Sequence, residues 1–314
     1  MPVVRRLVLA SPRGYCAGVE RAVETVERAL ALHGPPVYVR KQIVHNAHVV
    51  GDLERRGAVF VDSEDEAPPG SLLVLSAHGV APAVRRRAAE RRLRTVDATC
   101  PLVAKVHAEA RRYAGEGYRV LLVGHAGHEE VEGTLGEAPE ATTLVETVAD
   151  AEHVSVPDPS RVAYVTQTTL SVDETAEIVA TLRRRFPAIA GPSKDDICYA
   201  TTNRQRAVKQ LAAEVDVLLV IGSENSSNSK RLVETAQAAG VEAHLIEDET
   251  AIDERWLAGA ETVGLTSGAS APERLVARVC EWFRARGVHE ICAAGTVAED
   301  VFFRLPVEVR LPAA

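Results

Sequence analysis

The sequence has no long apolar run, no excess of positive charge and few cysteines. No apolar stretch in the 314 residues approaches the roughly 18 consecutive residues that indicate a membrane span. A net charge of −8 gives no electrostatic support for binding nucleic acid or a membrane surface. An anionic ligand would therefore need a local pocket that is positive or rich in hydrogen-bond donors.

The first residues, MPVVRRLVLASPRG, do not have the form of a signal peptide, because the apolar run is short and two arginines interrupt it. The cysteines are odd in number and far apart, namely Cys16, Cys100, Cys198, Cys280 and Cys292. This usage argues against a disulfide framework and favours metal binding or catalysis in a reducing compartment. We therefore expect a cytoplasmic protein.

Several common motifs are also missing. No C-x2-C pair occurs, so the usual zinc site built from close cysteine pairs is not expected. There is no G-x-x-x-x-G-K-[ST] and no G-x-G-x-x-G after a strand, so neither a P-loop nor a dinucleotide fingerprint is available. Any phosphate ligand would have to be held by other donors.

What the chain does contain is an internal repeat. Each copy begins with a cysteine, continues through an amphipathic helix and a buried strand, and reaches a polar loop. The distances from cysteine to loop agree at 29, 28 and 28 residues, for the pairs Cys16 and His45, Cys100 and His128, and Cys198 and Ser226. A second polar loop follows later in each copy, at His78, Thr168 and Ser270. Chance similarity among ordinary α/β units is the alternative explanation.

The repeat predicts an α/β fold of three similar modules, each with a small, mostly parallel sheet. We place the modules at residues 14–98, 99–196 and 197–285. Residues 1–13 and 286–314 are expected to be terminal segments that pack on the modules. Ligands bind at the carboxyl ends of parallel strands, so the polar loops should share in one site.

The position of three cysteines suggests metal chemistry. Cys16, Cys100 and Cys198 each precede a predicted helix, where the free amides favour a thiolate. Three thiolates from separate modules suit an iron–sulfur cluster or zinc and would leave one metal position open. The alternative is that cysteine serves as a small buried hydrophobe, which is the interpretation we favour for Cys280 and Cys292.

The polar loops supply donors and one acid. The candidate donors are His45, His78, His128, Ser226, Ser227, Asn228 and Ser270. Hydroxyls, an amide and free backbone N–H groups at a helix start suit a phosphate or diphosphate, although serines often only cap helices and loop histidines are often solvated. Glu130 is the best-placed acid for proton transfer, and its neighbours Glu129 and Glu132 are expected to have no such role.

These motifs resemble the 4-hydroxy-3-methylbut-2-enyl diphosphate reductase family, the terminal enzymes of the non-mevalonate isoprenoid pathway. The resemblance runs from about residue 7 to residue 305 through PRGYCAGVERA, VHNAHVV, SAHGV, DATCPLVAKVH, GHAGHEEVEG, TQTTLSVDET, KDDICYATTNRQ, NSSNSKRL and GASAPERL. It implies a pseudo-threefold trefoil of modules around one central 4Fe–4S cluster per chain, held by Cys16, Cys100 and Cys198.

The resemblance also implies roles for the loops. The diphosphate would bind His45, His78, His128, Ser226, Ser227, Asn228 and Ser270. Thr168 would lie near the substrate hydroxyl, and Glu130 would deliver the proton that lets it leave as water. The products would be isopentenyl and dimethylallyl diphosphate, with ferredoxin or flavodoxin as electron donor.

Two other functions remain open from the residues. One is a dehydration and condensation at an open cluster iron, as in quinolinate synthase, which would need loops other than NSSNS and HAGHEEVEG. The other is an iron–sulfur redox sensor that binds a phosphorylated metabolite without turnover, and such a sensor would not need Glu130.

Overall fold

The structure is a computed structural model that describes residues 4–295 and 297–310. The strands are β1 (Arg6–Ala10), β2 (Val37–Arg40), β3 (Ala58–Val61), β4 (Leu72–Leu75), β5 (Arg94–Asp97), β6 (Arg119–Val123), β7 (Thr142–Val145), β8 (Val162–Thr166), β9 (Val217–Ile221), β10 (Glu242–Ile246), β11 (Thr262–Ser267) and β12 (Glu290–Ala294). The α-helices are α1 (Ala17–His33), α2 (Ala47–Arg55), α3 (Pro82–Glu90), α4 (Pro101–Gly115), α5 (Glu129–Leu135), α6 (Val148–His153), α7 (Val172–Arg185), α8 (Tyr199–Ala212), α9 (Ser227–Ala238) and α10 (Glu273–Arg284). Short 3-10 turns cover Glu249–Ala251, Glu254–Leu257 and Val307–Val309.

The chain divides into two compact units. The first unit comprises the described parts of Met1–Ala17, His45–Val49 and Tyr199–Phe302. The second unit comprises the described parts of Gly18–Val44, Val50–Cys198 and Phe303–Ala314. The site residues are therefore divided between two bodies, each of which is described by itself below.

The first unit is built on a five-stranded parallel sheet in the order β10-β9-β11-β1-β12. Successive strand residues point to opposite faces, and both faces are apolar, as is usual for parallel sheets covered by helices. One face packs on α10 through Leu7, Leu219, Leu265, Leu275 and Val279. The other face packs on α8 and α9 through Val8, Leu218, Val220, Leu211 and Leu232.

The second unit contains two parallel sheets, ordered β3-β2-β4-β5 and β7-β6-β8. In the four-stranded sheet, Leu73 and Leu75 of β4 pack with Ala88 of α3. The three-stranded sheet is covered on both faces. One core contains Leu121, Tyr164, Ala151, Ile178 and Leu182, and the other contains Leu122, Val165, Val106, Tyr113 and Val131.

The expected α/β class with parallel sheets is confirmed, and the three sheets of the described residues contain strands from the three repeat copies. The terminal segments contribute more than surface packing. β1 lies between β11 and β12, so both segments complete the sheet of the third copy. Residues 1–3, 296 and 311–314 of those segments lie outside the described residues. The module boundaries stay predictions.

Among the described residues, no helix has the length and apolarity needed to cross a bilayer.

Candidate functional site

Three cysteines stand directly before helices, as the sequence predicts. Cys100 is the N-cap of α4, and Pro101 occupies the first helical turn. Cys16 immediately precedes α1, and Cys198 immediately precedes α8. All three are half-buried. Each thiol therefore lies where the unpaired amides of a helix start favour the thiolate form.

The backbone around these cysteines is anchored in the same way three times. Each cysteine N–H donates to a carbonyl of a second polar loop, namely Cys16 to Ala269 at 3.3 Å, Cys100 to Ala77 at 2.9 Å and Cys198 to Thr168 at 3.0 Å. Ala269 and Ala77 directly precede two predicted donors, Ser270 and His78. The repeat therefore places each cysteine next to one of the loops that the sequence singles out.

The second unit brings Glu130 and Thr168 together. Glu130 Oε1 accepts the Thr168 backbone N–H at 2.6 Å, and Thr168 Oγ1 lies 2.9 Å from Glu130 Oε2. Both residues are almost completely buried. Burial raises the pKa of Glu130, and the two hydrogen bonds from Thr168 oppose that rise without cancelling it. The carboxyl group thus tends to keep its proton, as a proton donor requires.

His128 is held as a neutral imidazole. It is the N-cap of α5, and its Nδ1 accepts the backbone N–H of Glu130 at 3.1 Å. Burial, assisted by the nearby His78, lowers the pKa of His128 to about 3. Because Nδ1 is an acceptor, Nε2 must carry the proton in the neutral ring. His128 therefore offers one N–H donor of fixed tautomer.

His78 lies beside His128 and against a carboxylate. The two rings are edge to face with centroids 5.8 Å apart. His78 Nδ1 lies 3.2 Å from Glu129 Oε2. Glu129 therefore contacts one of the predicted donors, which its place in the sequence did not indicate, whereas Glu132 is exposed on α5. The expectation that neither glutamate transfers the proton stays a prediction.

The first unit carries the serine-rich donors. Ser226 is the N-cap of α9, with its Oγ accepting the Ser229 N–H at 3.3 Å, and Ser227 is the first residue of the helix. Asn228 uses its side-chain oxygen to accept the Ala269 N–H at 2.8 Å. Asn228 therefore holds the loop of Ser270 as well as belonging to the helix start.

His45 contacts two of these loops within the first unit. Its carbonyl accepts the Ser270 hydroxyl at 2.9 Å, and its Nδ1 lies 3.3 Å from Asn225 Nδ2. The structure thus divides the predicted loop residues of the site into two sets. The first unit holds His45, Ser226, Ser227, Asn228 and Ser270, and the second holds His78, His128, Glu130 and Thr168.

Two glycines allow the serine loops to pack closely. A Cβ on either Gly222 or Gly268 would lie 2.1 Å from Ser229 Oγ, which is closer than any side chain tolerates. Ser229 in turn donates to Ser226 Oγ at 3.0 Å. The glycines therefore keep the N-cap hydroxyl of α9 in place.

His107 was missed by the sequence reasoning. Its ring is buried in α4, and its Nδ1 lies 2.8 Å from Glu137 Oε1. A Cβ on Gly79 would lie 2.9 Å from the His107 ring, and one on Gly133 would lie 3.0 Å from it. His107 thus braces the loop after His78 and the helix that carries Glu130. The signal was present as the last residue of DATCPLVAKVH, but a histidine on a helix gives no indication of its neighbours.

The remaining cysteines occupy other environments. Cys280 is buried in the core between α10 and its sheet, and burial raises the pKa of its thiol. Cys292 is exposed on β12, so the expectation of a small buried hydrophobe is confirmed for Cys280 and is wrong for Cys292. By contrast, the three cysteines at helix starts offer soft thiolate ligands with a repeated backbone anchor, which is a donor set that fits an iron–sulfur cluster.

Comparison of this chain with known proteins shows the family to which it belongs. A family model described as LytB protein matches residues 7–284. The chain belongs to the LytB protein family. This confirms the family resemblance, because the curated relatives carry the name 4-hydroxy-3-methylbut-2-enyl diphosphate reductase.

Similarity to these LytB relatives extends over nearly the whole chain. The protein from Acidothermus cellulolyticus is 61% identical over 98% of this chain and 90% of its own length. The protein from Streptomyces avermitilis is 55% identical over 98% of this chain and 91% of its own length. The solved E-1-hydroxy-2-methyl-but-2-enyl-4-diphosphate reductase from Plasmodium falciparum superposes with a TM-score of 0.94 at 40% identity, covering 97% of this chain and 96% of that one.

Proposed function

We propose that this protein reduces 4-hydroxy-3-methylbut-2-enyl diphosphate to isopentenyl diphosphate and dimethylallyl diphosphate, as the final step of the non-mevalonate isoprenoid pathway. The observation that carries the proposal is the buried pair of Glu130 and Thr168. In this pair, a carboxyl group that tends to keep its proton lies beside a hydroxyl group. The relatives in the same family carry the name 4-hydroxy-3-methylbut-2-enyl diphosphate reductase.

The reaction balances with two electrons and two protons. The allylic C–O bond breaks, and one proton leaves with the oxygen as water. The second proton adds to either end of the allyl group, which gives the two isomeric products. The electrons come from an external donor, for which a ferredoxin or a flavodoxin is the candidate.

Glu130 delivers the proton to the leaving oxygen. Hydroxide is a poor leaving group, so a positioned acid is needed when the C–O bond breaks. The raised pKa of Glu130 keeps this acid protonated at higher pH than an ordinary carboxyl group. Thr168 orients the carboxyl group through its N–H and hydroxyl, and the hydroxyl can pass a proton between Glu130 and the substrate.

The diphosphate is bound by hydrogen-bond donors from the polar loops. His45, His78 and His128 supply ring N–H groups, and Ser226, Ser227, Asn228 and Ser270 supply hydroxyl and amide groups. The start of α9 adds free backbone N–H groups. The fixed tautomer of His128 gives an N–H donor that does not depend on pH in the physiological range.

Cys16, Cys100 and Cys198 would hold one 4Fe–4S cluster per chain. When bound, such a cluster supplies single electrons and an open iron that acts as a Lewis acid toward the allylic oxygen. The proposal includes a cytoplasmic location, since thiolate ligands stay reduced there.

The test is multiple turnover by anaerobically prepared protein with a chemical reductant. We expect many equivalents of isopentenyl and dimethylallyl diphosphate per chain, with water as the other product. A redox sensor would bind the diphosphate and change colour on reduction without forming product. A cluster dehydratase would consume substrate without needing the reductant. Product formed in the presence of the reductant therefore argues against the sensor, and a lack of substrate consumption in its absence argues against the dehydratase.

A further inference from the structure

A basic side chain lies near the start of each helix that follows a site cysteine. Arg21 lies five residues after Cys16 in α1, Lys105 lies five residues after Cys100 in α4, and Arg204 lies six residues after Cys198 in α8. The family resemblance implies no role for these three residues. Each of them contacts the segment that precedes a different site cysteine.

Arg21 binds the segment that leads into Cys100. Its Nη1 donates to the Thr99 carbonyl at 3.0 Å and its Nη2 to the Asp97 carbonyl at 3.3 Å. Its Nε donates to the Arg304 carbonyl at 2.8 Å. The guanidinium group therefore fixes the backbone one and three residues before the cysteine.

Lys105 binds the segment that leads into Cys198. Its Nζ donates to the Lys194 carbonyl at 2.6 Å and to Asp196 Oδ1 at 2.8 Å. The side chain of Asp196 is completely buried, and its other oxygen accepts the Thr166 N–H at 2.9 Å. The ammonium group thus binds the backbone four residues before the cysteine and the side chain two residues before it.

Arg204 binds the segment that leads into Cys16. Its Nη2 donates to the Gly14 carbonyl at 2.6 Å and the Tyr15 carbonyl at 3.3 Å. The side chain is fully buried and forms an ion pair with Glu299 at 3.1 Å. Here the cation fixes the backbone one and two residues before the cysteine.

The three contacts run in one direction along the repeat. The basic residue in the helix after each cysteine contacts the segment before the next cysteine. Arg204, in the helix after the third cysteine, contacts the segment before the first, Cys16. Arg112, an exposed basic residue of α4, pairs instead with Glu116, the residue directly after its own helix.

We propose that Arg21, Lys105 and Arg204 are positioning residues, each of which holds the cysteine of the next copy of the repeat in the geometry needed to ligate the cluster. The inference rests on the proposed function for the cluster itself, but the pairing of cation with cysteine is new. Groups that orient metal ligands typically change metal affinity by about 10–100-fold when they are removed.

The pairing makes a prediction that differs for each cation. In the holoprotein under anaerobic conditions, iron is withdrawn with a chelator while iodoacetamide labels any thiol that is released. Labelled cysteines are then identified by mass spectrometry. Arg21→Met should release Cys100 first. Lys105→Met is combined with Asp196→Asn, because Lys105→Met alone would leave the buried Asp196 carboxylate without its cation, and this double variant should release Cys198 first. Iron loss should be about 10–100-fold faster than in wild type.

Arg204 also needs a double variant, because Arg204→Met alone leaves the half-buried Glu299 without its cation. Arg204→Met with Glu299→Gln should release Cys16 first. Arg21 is only half-buried, so Arg21→Met is the variant that tests the idea if the double variant fails to fold. Arg21→Lys keeps a donor for the two carbonyls and should restore the wild-type order of labelling.

Arg112→Met and Arg206→Met are the matched controls, because both residues are exposed on α4 and α8. They should leave the rate of iron loss and the order of labelling unchanged. Equal labelling of the three cysteines in Arg21→Met and in the double variant of Lys105→Met with Asp196→Asn, at the wild-type rate of iron loss, would overturn the inference. Wild-type protein without iron would instead overturn the proposed function.

Discussion

Both carboxylate oxygens of Glu130 contact Thr168, one at its backbone N–H at 2.6 Å and the other at its hydroxyl at 2.9 Å. Glu130 lies in the first turn of α5, and Thr168 lies in the loop after β8. The pair is buried, which limits the access of solvent to the carboxyl group. This contact makes Glu130 the centre of the proposed chemistry.

The first prediction concerns Glu130→Gln. Glutamine can accept from the Thr168 N–H and donate to its hydroxyl, so shape and binding should be kept, but it cannot give up the proton. Single-turnover reduction with a chemical reductant should slow by about 10²-fold or more. Binding of substrate should stay within a few-fold of wild type.

Glu132→Gln is the control for that variant, because Glu132 is exposed on the same helix. It should react within a few-fold of wild type. Glu129 does not serve as a control, since its carboxylate contacts His78. If Glu132→Gln loses activity while Glu130→Gln keeps it, Glu130 is not the proton donor.

The second prediction concerns the serine donors. Ser226→Ala removes a hydroxyl from the proposed diphosphate site, and a hydrogen bond to a charged group contributes about 1.5–3 kcal/mol. Substrate and inorganic diphosphate should therefore both bind roughly 10–100-fold more weakly. Isothermal titration calorimetry measures both affinities.

Ser226→Ala also removes the N-cap of α9 and would destabilise the protein for that reason alone. Ser171→Ala is the control for this effect. Ser171 caps α7 through the Glu174 N–H, just as Ser226 caps α9. Each substitution should lower the free energy of unfolding by about 1 kcal/mol. Equal affinity of the two variants for diphosphate would show that Ser226 only caps its helix.

The third prediction concerns pH. The pKa of His128 is lowered from 6.5 to about 3 by burial, so the folded protein keeps this ring neutral while the unfolded chain takes up a proton as pH falls below 6.5. The stability of the folded state is therefore complete above pH 6.5 and decreases toward pH 3. His128→Gln removes this term.

Urea unfolding at pH 7 and pH 5 measures the effect. From pH 7 to pH 5, wild type should lose up to about 2 kcal/mol more of its unfolding free energy than His128→Gln. His153→Gln, at an exposed position on α6, should behave as wild type. The same pH dependence in wild type and His128→Gln would contradict the neutral assignment.

The fourth prediction compares two glycines with nearly the same φ angle. Gly79 has φ +78° and meets the His107 ring, whereas Gly70 has φ +82° and meets nothing within 4 Å. Gly70→Ala should lower the free energy of unfolding by about 1–2 kcal/mol, because alanine is strained in a left-handed backbone conformation. Gly79→Ala should lower it by roughly a further 1–3 kcal/mol, because its Cβ would also overpack against the His107 ring.

Thermal or urea unfolding of both variants checks that difference. Equal destabilisation would mean that His107 moves away at no cost, and His107 would then not brace the loop of His78.

Much of the fold follows from the sequence because its signals are local. The apolar runs of β6 and β9, the helix starts after the cysteines and the repeat spacing all depend on neighbours within the same segment. The pairing of β1 with β11 and β12 was not predictable in the same way, because it joins residues more than 250 positions apart. Composition contains no information about such a pairing.

The same distinction holds for the site. The residue types at Cys100, Glu130 and Ser226 indicated their chemistry from local motifs. The contact of Glu129 with His78, and the wedge of His107 between two glycines, depend on how separate segments pack. In the sequence, Arg21, Lys105 and Arg204 do not differ from ordinary charged residues of amphipathic helices. Their contacts with the cysteine segments depend on packing between separate parts of the chain.

The most direct test of the central claim is the iron and sulfide content of anaerobically prepared protein. Wild type should be brown and contain about four irons per chain. Cys16→Ser, Cys100→Ser and Cys198→Ser should each lose or damage the cluster, while Cys280→Ser and Cys292→Ser keep it. Colourless wild-type protein with stoichiometric zinc, or iron loss caused equally by all five substitutions, would contradict the account.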